Sequence, residues 1–372
     1  MTGSWSGEVA LVTGFPTLLA RRLALRLLAD DQRRHLRLLV REKFLADAER
    51  WRSALGPDRR KRVELLEGDA ASMDLGLSGA ELNALSAEVD VIHHAAAITY
   101  EGADERDVHD LNVGSAREVV ELARASAGLR RLVLWSTTQV SGDHQGVFRE
   151  DDLELGQRFR SEIERTRHRA EQIVRLAGKD LPVTILRPSI VVGDSQTGET
   201  DRLDGPYLLI VLMLTSPPDL RIPLPAKADA PLHVVPLDFV VDAGAYIAER
   251  EESIGRTYHL VDPAPRAARV VFEAVARAAN RRLPRGFIPA NLTRALLRTP
   301  GLERFARSPR AFVDQLATNV TYPCARTEEI LKDSGIACPP FESYVDAIVG
   351  HVRERLREQR ETHEVEVDDP LG

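Results

Sequence analysis

The chain is short of cysteine, of lysine and of long apolar runs, and each shortage excludes something. Two cysteines, Cys324 and Cys338, cannot build a disulfide framework. Neither has a partner Cys or His at metal-ligand spacing, so no metal site is expected. No apolar stretch approaches the roughly 18 to 20 residues a membrane span needs. The opening MTGSWSGEVALV enters a strand-like run without a basic region, apolar stretch and cleavage site, which makes the cytoplasm the expected compartment. Lysine occurs five times, leaving 45 arginines among the 50 basic residues; so general a skew reads as coding bias rather than as a binding function. The net charge of −7 argues against general affinity for nucleic acid. The basic run Arg59, Arg60, Lys61 and Arg62 reads as a solvated loop.

What remains is ordinary for a soluble globular protein: 43% hydrophobic and 29% charged residues in 372. That length exceeds what one hydrophobic core usually covers, so one large domain with a smaller companion is expected. Apolar runs of strand length alternate with amphipathic stretches, the pattern of a doubly wound α/β fold with a mostly parallel sheet. Strands are predicted at 8–13, 36–40, 63–66, 90–93, 131–135 and 182–187. Helices are predicted at 17–29, at 106–127 following Asp104, and at 159–177, each with apolar residues three and four apart.

From about 194 the rhythm changes. GDSQTGETDRLDGP is a polar loop, 206–215 an apolar helix and 216–232 a proline-rich stretch, while 234–248 and 257–262 look like a return to the main domain. Segment 264–355 has helical periodicity interrupted at Pro284, Pro289, Pro300 and Pro339. The expected division is therefore 8–193 plus 234–262 as a domain of dinucleotide-binding type, 194–233 plus 263–355 as a mainly helical substrate region, and 356–372 as a disordered acidic tail. Two apolar stretches in the substrate region, PYLLIVLML and NLTRALLRTPGLERFARSPRAFVDQL, suit a lipophilic channel as well as plain core.

Chemistry is suggested first at the end of the first strand. Val12-Thr13-Gly14 followed at once by a helix is where a Rossmann domain presents backbone N–H groups to a pyrophosphate. The fingerprint asks for three glycines, and this chain supplies Gly14, Thr17 and Ala20. Ala20 is a mild change; Thr17 is not, because the second glycine lets the backbone touch the phosphates. The turn residues Gly14, Phe15, Pro16, Thr17, Leu18 and Leu19 are the candidate phosphate contacts. Arg41, ending the second strand, suits a 2′-phosphate and so favours NADP over NAD. Asp69, with Ala70, follows the third strand, where it suits either an adenine edge or a turn.

The order of TGFPTLLA, LLVREKF, EGDAASMDLGLS, DVIHHAAAITY, LNVGSAREVVELA, WSTTQVSGD, ILRPSIVVGDSQTGE, VVPLDFVVDA and TYHLV resembles the extended short-chain dehydrogenase/reductases. Within them it is most similar to the branch of male-sterility-type fatty acyl reductases and thioester reductase domains, over about 8–262 and more loosely to 355. The resemblance implies a Rossmann fold, a nicotinamide cofactor and a small-molecule, lipophilic or acyl-thioester ligand. It implies that Ala95, Ala96 and Ala97 lie along the cofactor, that Asn112 orders the adjacent helix, that Thr137 hydrogen-bonds a substrate carbonyl, and that Pro188, Ser189 and Ile190 turn near the nicotinamide.

The family's proton donor is a Tyr assisted by a Lys four residues on, both on one helix face. No Tyr-x-x-x-Lys occurs in this chain. Aligning QRFRSEIERTRHRAEQIVR on that helix puts Ile163 at the Tyr position and Arg167 at the Lys position, with Phe159, Arg160, Glu164, Thr166, Ala170 and Glu171 matching around them. Arg keeps the charge; Ile has no proton to give. His168, His94 and Tyr100 are the nearest stand-ins by sequence. Three functions are compatible: NADP-dependent reduction of an acyl thioester or related carbonyl, a non-catalytic role as ligand sensor, scaffold or partner subunit, and an epimerase or dehydratase activity.

Overall fold

Each apolar run, followed by a helix with one apolar stripe, lays a further parallel strand beside the last. The computed structural model describes residues 7–100, 102–217, 224–225, 229–283, 287–288 and 319–367. Its strands, in chain order, are β1 (Val9–Phe15), β2 (His35–Val40), β3 (Val63–Glu67), β4 (Val91–His94), β5 (Arg131–Trp135), the short β6 (Gly146–Val147), β7 (Val183–Pro188), β8 (Ile190–Val192), β9 (Leu224–Pro225), β10 (Val234–Pro236), β11 (Arg256–Leu260), β12 (Phe287–Ile288) and β13 (Val320–Thr321). Helices are α1 (Leu18–Asp30), α2 (Leu45–Ala54), α3 (Pro57–Arg60), α4 (Gly79–Glu88), α5 (Glu105–His109), α6 (Ser115–Ala125), α7 (Glu162–Ala177), α8 (Tyr207–Thr215), α9 (Leu237–Ala248) and α10 (Ala268–Ala278), with later helices at Ala325–Leu331 and Val345–Val367.

The backbone divides into two compact units. The first comprises 1–189, 239–261 and 320–337 and holds a seven-stranded sheet in the order β11-β7-β5-β4-β1-β2-β3, parallel at every pairing. The fold is the doubly wound α/β type expected. The chain first builds outward from β1 to β3 and then restarts on the other side at β4, so the carboxyl ends of β1 and β4 border the crevice where ligands bind in such sheets. One face carries α4, α6 and α7, whose Leu85, Val119, Val120, Ala170 and Val174 join Leu11, Ile92, Leu132 and Ile185 in a common core. On the other, Gly244 of α9 lies so close to the Trp135 ring that an added Cβ would sit 2.4 Å from it.

Residues 320–337 belong to this unit, although the periodicity of 264–355 does not separate them from the substrate region. The buried Glu150 carboxylate is the reason: it accepts from the His259 N–H (3.1 Å) of β11, from Thr327 Oγ1 (3.0 Å) and from the Arg326 N–H (3.2 Å). Val320 and Thr321 also pair with β6.

The second unit comprises 190–238, 262–319 and 338–372. Helix α8 is apolar all round and buried from Tyr207 to Met213, as such a helix must be. With α10 and Phe341 and Ile348 it lines a small apolar cavity. The loop 193–199 is built on Asp194, whose Oδ1 accepts from Gln196 N–H (3.0 Å) and Thr197 N–H (2.9 Å). The helix Val345–Val367 runs past residue 356, where the sequence suggests a disordered tail; glutamate and arginine are good helix formers, and the acidic composition does not stop the last turns. Pro284, Pro289, Pro300 and the stretch 291–316 lie outside the described residues.

Helix α7 brings charge into the core. Ser161 caps it, accepting the Glu164 N–H (3.3 Å), and its buried face carries Ile163, Arg167, Ala170, Glu171, Val174 and Ala177. Glu171 and Arg187 of β7 are both fully buried and bonded, Arg187 Nη2 to Glu171 Oε1 at 2.5 Å and Nε to Oε2 at 3.0 Å. Ser136 donates to Glu171 Oε2 (2.6 Å) and Arg187 Nη2 to the Asp152 carbonyl (2.6 Å). Burial alone would raise the Glu171 carboxyl, but the Arg187 charge and these bonds outweigh it and hold it below its ordinary value. Removing one partner leaves the other charge buried and unpaired. Glu171→Leu is therefore expected to lose about 3 to 5 kcal/mol, read as a lowered midpoint in urea; a loss under about 1 kcal/mol would show that α7 does not depend on the pair.

Candidate functional site

Gly14 has φ +88, and a Cβ there would stand 2.8 Å from the Ala95 carbonyl group and 2.9 Å from the Ala96 nitrogen. Glycine is thus required both by conformation and by the closeness of β4. The Thr17 N–H donates to the Gly14 carbonyl (3.1 Å) across a cis Phe15–Pro16 bond. Phe15 is core, edge-on to Trp51 at 5.0 Å, and Leu18 is buried with it, while Pro16 and Leu19 are half-buried; Phe15 and Leu18 can therefore offer a ligand only backbone. Thr17 is exposed and caps α1, its Oγ1 accepting the Ala20 N–H (3.3 Å). Its hydroxyl thereby takes one of the helix-start N–H groups that an anion would otherwise meet, a role that the glycine spacing does not suggest.

At the end of β2, Arg41 is half-buried with its guanidinium 5.2 Å from the Phe44 ring centre, and the Lys43 ammonium lies 5.0 Å from the same ring. Two cations are therefore gathered there on one aromatic face or its edge. Asp69 serves the turn: its Oδ1 accepts the Ala71 N–H (3.0 Å) and its own N–H donates to the Leu75 carbonyl (2.8 Å). Ala70 is buried beside it.

At the end of β4, Ala96 is buried and Ala95 and Ala97 are half-buried. His93 and His94 are both buried and neutral, pushed down to about 3 by burial and neighbouring arginines. His94 is bonded at both ring nitrogens, Nδ1 to Thr13 Oγ1 (2.9 Å) and Nε2 to Ser115 Oγ (3.2 Å), so it has no proton for chemistry. The helix expected at 106–127 divides into α5, a π-helical turn at Asp110–Gly114 and α6. Asn112 on that turn accepts the Ile98 N–H (2.8 Å) and donates to the Ile98 carbonyl (3.1 Å) and Thr166 Oγ1 (2.9 Å). It thus ties the segment after β4 to α7.

Thr137 ends the β5 segment, half-buried, its Oγ1 accepting the Gln139 N–H (3.2 Å). Ile163 is 4% exposed. Arg167 donates from Nη2 to the Trp135 carbonyl, and burial lowers it to about 10, so it stays a cation at neutral pH. Pro188 ends β7, Ser189 donates its N–H to the Leu260 carbonyl (3.2 Å), and Ile190 opens β8, paired to β10 in the second unit. Arg167 Nε and Ser189 Oγ are buried without a hydrogen-bond partner, as are Arg131 Nε, Arg175 Nε and other side-chain atoms among the described residues. Of the stand-ins, His168 donates Nε2–H to the Leu153 carbonyl (3.2 Å) and packs on Phe159, and Tyr100 is half-buried past β4. The tyrosine that does reach the β5 turn is Tyr322, its hydroxyl 2.8 Å from Ser141 Oγ. Nothing in its sequence surroundings signals that return from 320–337.

The two neutral histidines generate a pH dependence. Their pKa in the fold lies below the unfolded value of about 6.5, so the stability they confer is complete above pH 6.5 and is lost as pH falls toward about 3, at up to about 1.4 kcal/mol per pH unit for each. Urea midpoints between pH 7 and 4.5 are expected to fall less steeply in His94→Gln than in the parent; equal slopes would contradict the assignment.

The chain matches the model of the male sterility protein family over residues 12–244. It is 27% identical over 288 residues to glycine betaine reductase ATRR of Emericella nidulans, covering 72% of this chain and 22% of that protein. It is 26% identical over 217 residues to the fatty acyl-CoA reductase wat of Drosophila melanogaster, covering 51% and 41%; it thus spans less than half the length of either relative. Among solved structures, the terminal R domain from the myxalamid PKS-NRPS pathway aligns with a TM-score of 0.78 at 25% identity, over 95% of this chain and 92% of that one. The chain therefore belongs to the male sterility protein family, an NAD(P)-binding branch of the extended short-chain dehydrogenase/reductases related to thioester reductase and fatty acyl reductase domains.

Proposed function

We propose that this chain binds NADP in preference to NAD on the Gly14 turn and holds an acyl thioester or related carbonyl compound beside Thr137, without reducing it at the rate its relatives' chemistry would allow. The observation that carries this reading is Ile163, buried one helical turn before Arg167, where the resemblance calls for the acid. The tight approach of Gly14 to Ala95 and Ala96 supports a dinucleotide at the β1–β4 crevice. The unpartnered Arg167 Nε and Ser189 Oγ support a polar ligand group at the ends of β5 and β7. Arg41 and Lys43 at the end of β2 support the 2′-phosphate.

A reduced nicotinamide, when bound, supplies a hydride. The rest falls to this chain's own residues. Thr137 Oγ1 already accepts the Gln139 N–H, so its single proton is directed to an outside acceptor such as a carbonyl oxygen. It orients that oxygen but does not surrender the proton. Arg167 holds a fixed positive charge nearby, too basic to act as the acid at neutral pH. Ile163 excludes water without replacing the missing donor. A positioned acid is worth about 10² to 10⁴ in rate, which turns the site from a reductase into a binding site for cofactor and ligand, suited to sensing or scaffolding.

Calorimetry is expected to give NADPH binding at least about tenfold tighter than NADH, and Arg41→Ser should remove most of that preference, since a charge-assisted phosphate contact contributes about 1.5 to 3 kcal/mol; equal affinity for the two dinucleotides would overturn the NADP assignment. With NADPH and a panel of acyl-CoAs, the parent should turn over about 10² to 10⁴ more slowly than the Ile163→Tyr, Arg167→Lys double variant. If the parent is as fast as the double variant, the reductase is intact and draws its proton from elsewhere; Tyr322→Phe then tests the phenol hydrogen-bonded to Ser141.

A further inference from the structure

The buried polar groups where β1 meets β4 form an ordered series. Thr13 is fully buried, and its Oγ1 accepts two amide protons, from Ala95 and Ala96, each at 3.2 Å. A hydroxyl has two acceptor positions and one proton. Both acceptor positions are taken, so the proton goes to the remaining neighbour, His94 Nδ1 at 2.9 Å. Nδ1 is then an acceptor, which places the proton of the neutral ring on Nε2, pointing at Ser115 Oγ (3.2 Å). Ser115 in turn donates to the Leu111 carbonyl in the π-helical turn. The direction of every bond follows from the two amides.

We propose that Thr13, His94 and Ser115 form a single one-way hydrogen-bond chain that sets the spacing between the Gly14 turn and the Ala95–Ala96 peptides, making His94 a positioning residue for dinucleotide binding. Thr13 immediately precedes Gly14, whose Cα has no room to move toward Ala95, so a change in how Thr13 is held moves the turn itself. His94 reaches from β4 to both sides, joining the end of β1 to α6 through two bonds of fixed polarity. A ring protonated at Nδ1 would face the Thr13 hydroxyl with a second donor and break the chain; an aliphatic residue would leave the Thr13 proton without an acceptor and the Ser115 oxygen without a donor in the core. Leu111, Asn112 and Ser115 lie within or next to the same π-helical turn, so the chain also fixes the register of the segment that carries Asn112.

The inference rests on the proposed binding of a dinucleotide, and its test separates the two. In the parent, imidazole ¹⁵N resonances should report a neutral Nε2–H ring at position 94 from pH 5 to 8. Amide hydrogen exchange at Ala95 and Ala96 should quicken at least tenfold in His94→Leu and return to within about threefold of the parent in His94→Gln, which again places an acceptor toward Thr13 and a donor toward Ser115. Should His94→Leu fail to fold, Ser115→Ala, which removes only the far end, is expected to quicken the same exchange about threefold. The NADPH dissociation constant should follow the same order, weakening at least tenfold in His94→Leu with rescue in His94→Gln. A ring protonated on Nδ1, or exchange unchanged in the variants, overturns the chain. Variants that lose stability while the folded fraction binds NADPH as the parent does overturn the positioning role. A parent that does not bind NADPH overturns the functional reading and the positioning role with it, while the ¹⁵N and exchange results still decide the chain itself.

Discussion

The buried Glu171–Arg187 pair is the constraint on which the site depends. Two charges with no exposure are tolerable only when every neighbour is aligned to them, and here the neighbours are Ser136 just after β5, the carbonyls of the loop 149–152, and His259 of β11, whose Nε2 accepts from Arg187 Nη1 at 3.2 Å. The pair therefore sets how α7 lies on β5 and β7. Everything else on that helix inherits the position: Arg167 one turn earlier meets the Trp135 carbonyl, and Ile163 a further turn earlier is buried.

The other half of the site is held by neutral polar groups. Thr13, His94 and Ser115, with the Ala95 and Ala96 amides and the Leu111 carbonyl, satisfy one another at the β1–β4 junction, where the strand order reverses, and Asn112 links the segment after β4 to α7. The two halves differ in what they leave over. At the junction every buried donor and acceptor named has its partner. Beside β5 and β7, Arg167 Nε and Ser189 Oγ do not. The two open atoms stand on the face of α7 that also buries Ile163 and at the end of β7.

Much of this was legible in the sequence, for physical reasons. Strands such as 131–135 and helices such as α1 announce themselves because a period of two or 3.6 in apolar residues reflects which side of an element meets the core. The span of α7 was legible from its local pattern, the predicted 159–177 overlapping the observed Glu162–Ala177. Local sequence also foreshadowed the turn role of Asp69. It did not reveal that Thr17 spends its hydroxyl on Ala20, because Thr at a fingerprint position and Thr at a helix cap are the same letter.

What the sequence by itself determined is the order and kind of elements, and with them the family, since these depend on neighbours a few residues away. The tertiary structure decided who meets whom across long separations: Thr13 with His94 and Ser115, Glu171 with Arg187, Glu150 with Thr327, and Tyr322 with Ser141. Such partners are chosen by the demand that each buried polar group be satisfied once and in a definite direction. That demand acts in three dimensions and leaves no periodicity in the chain.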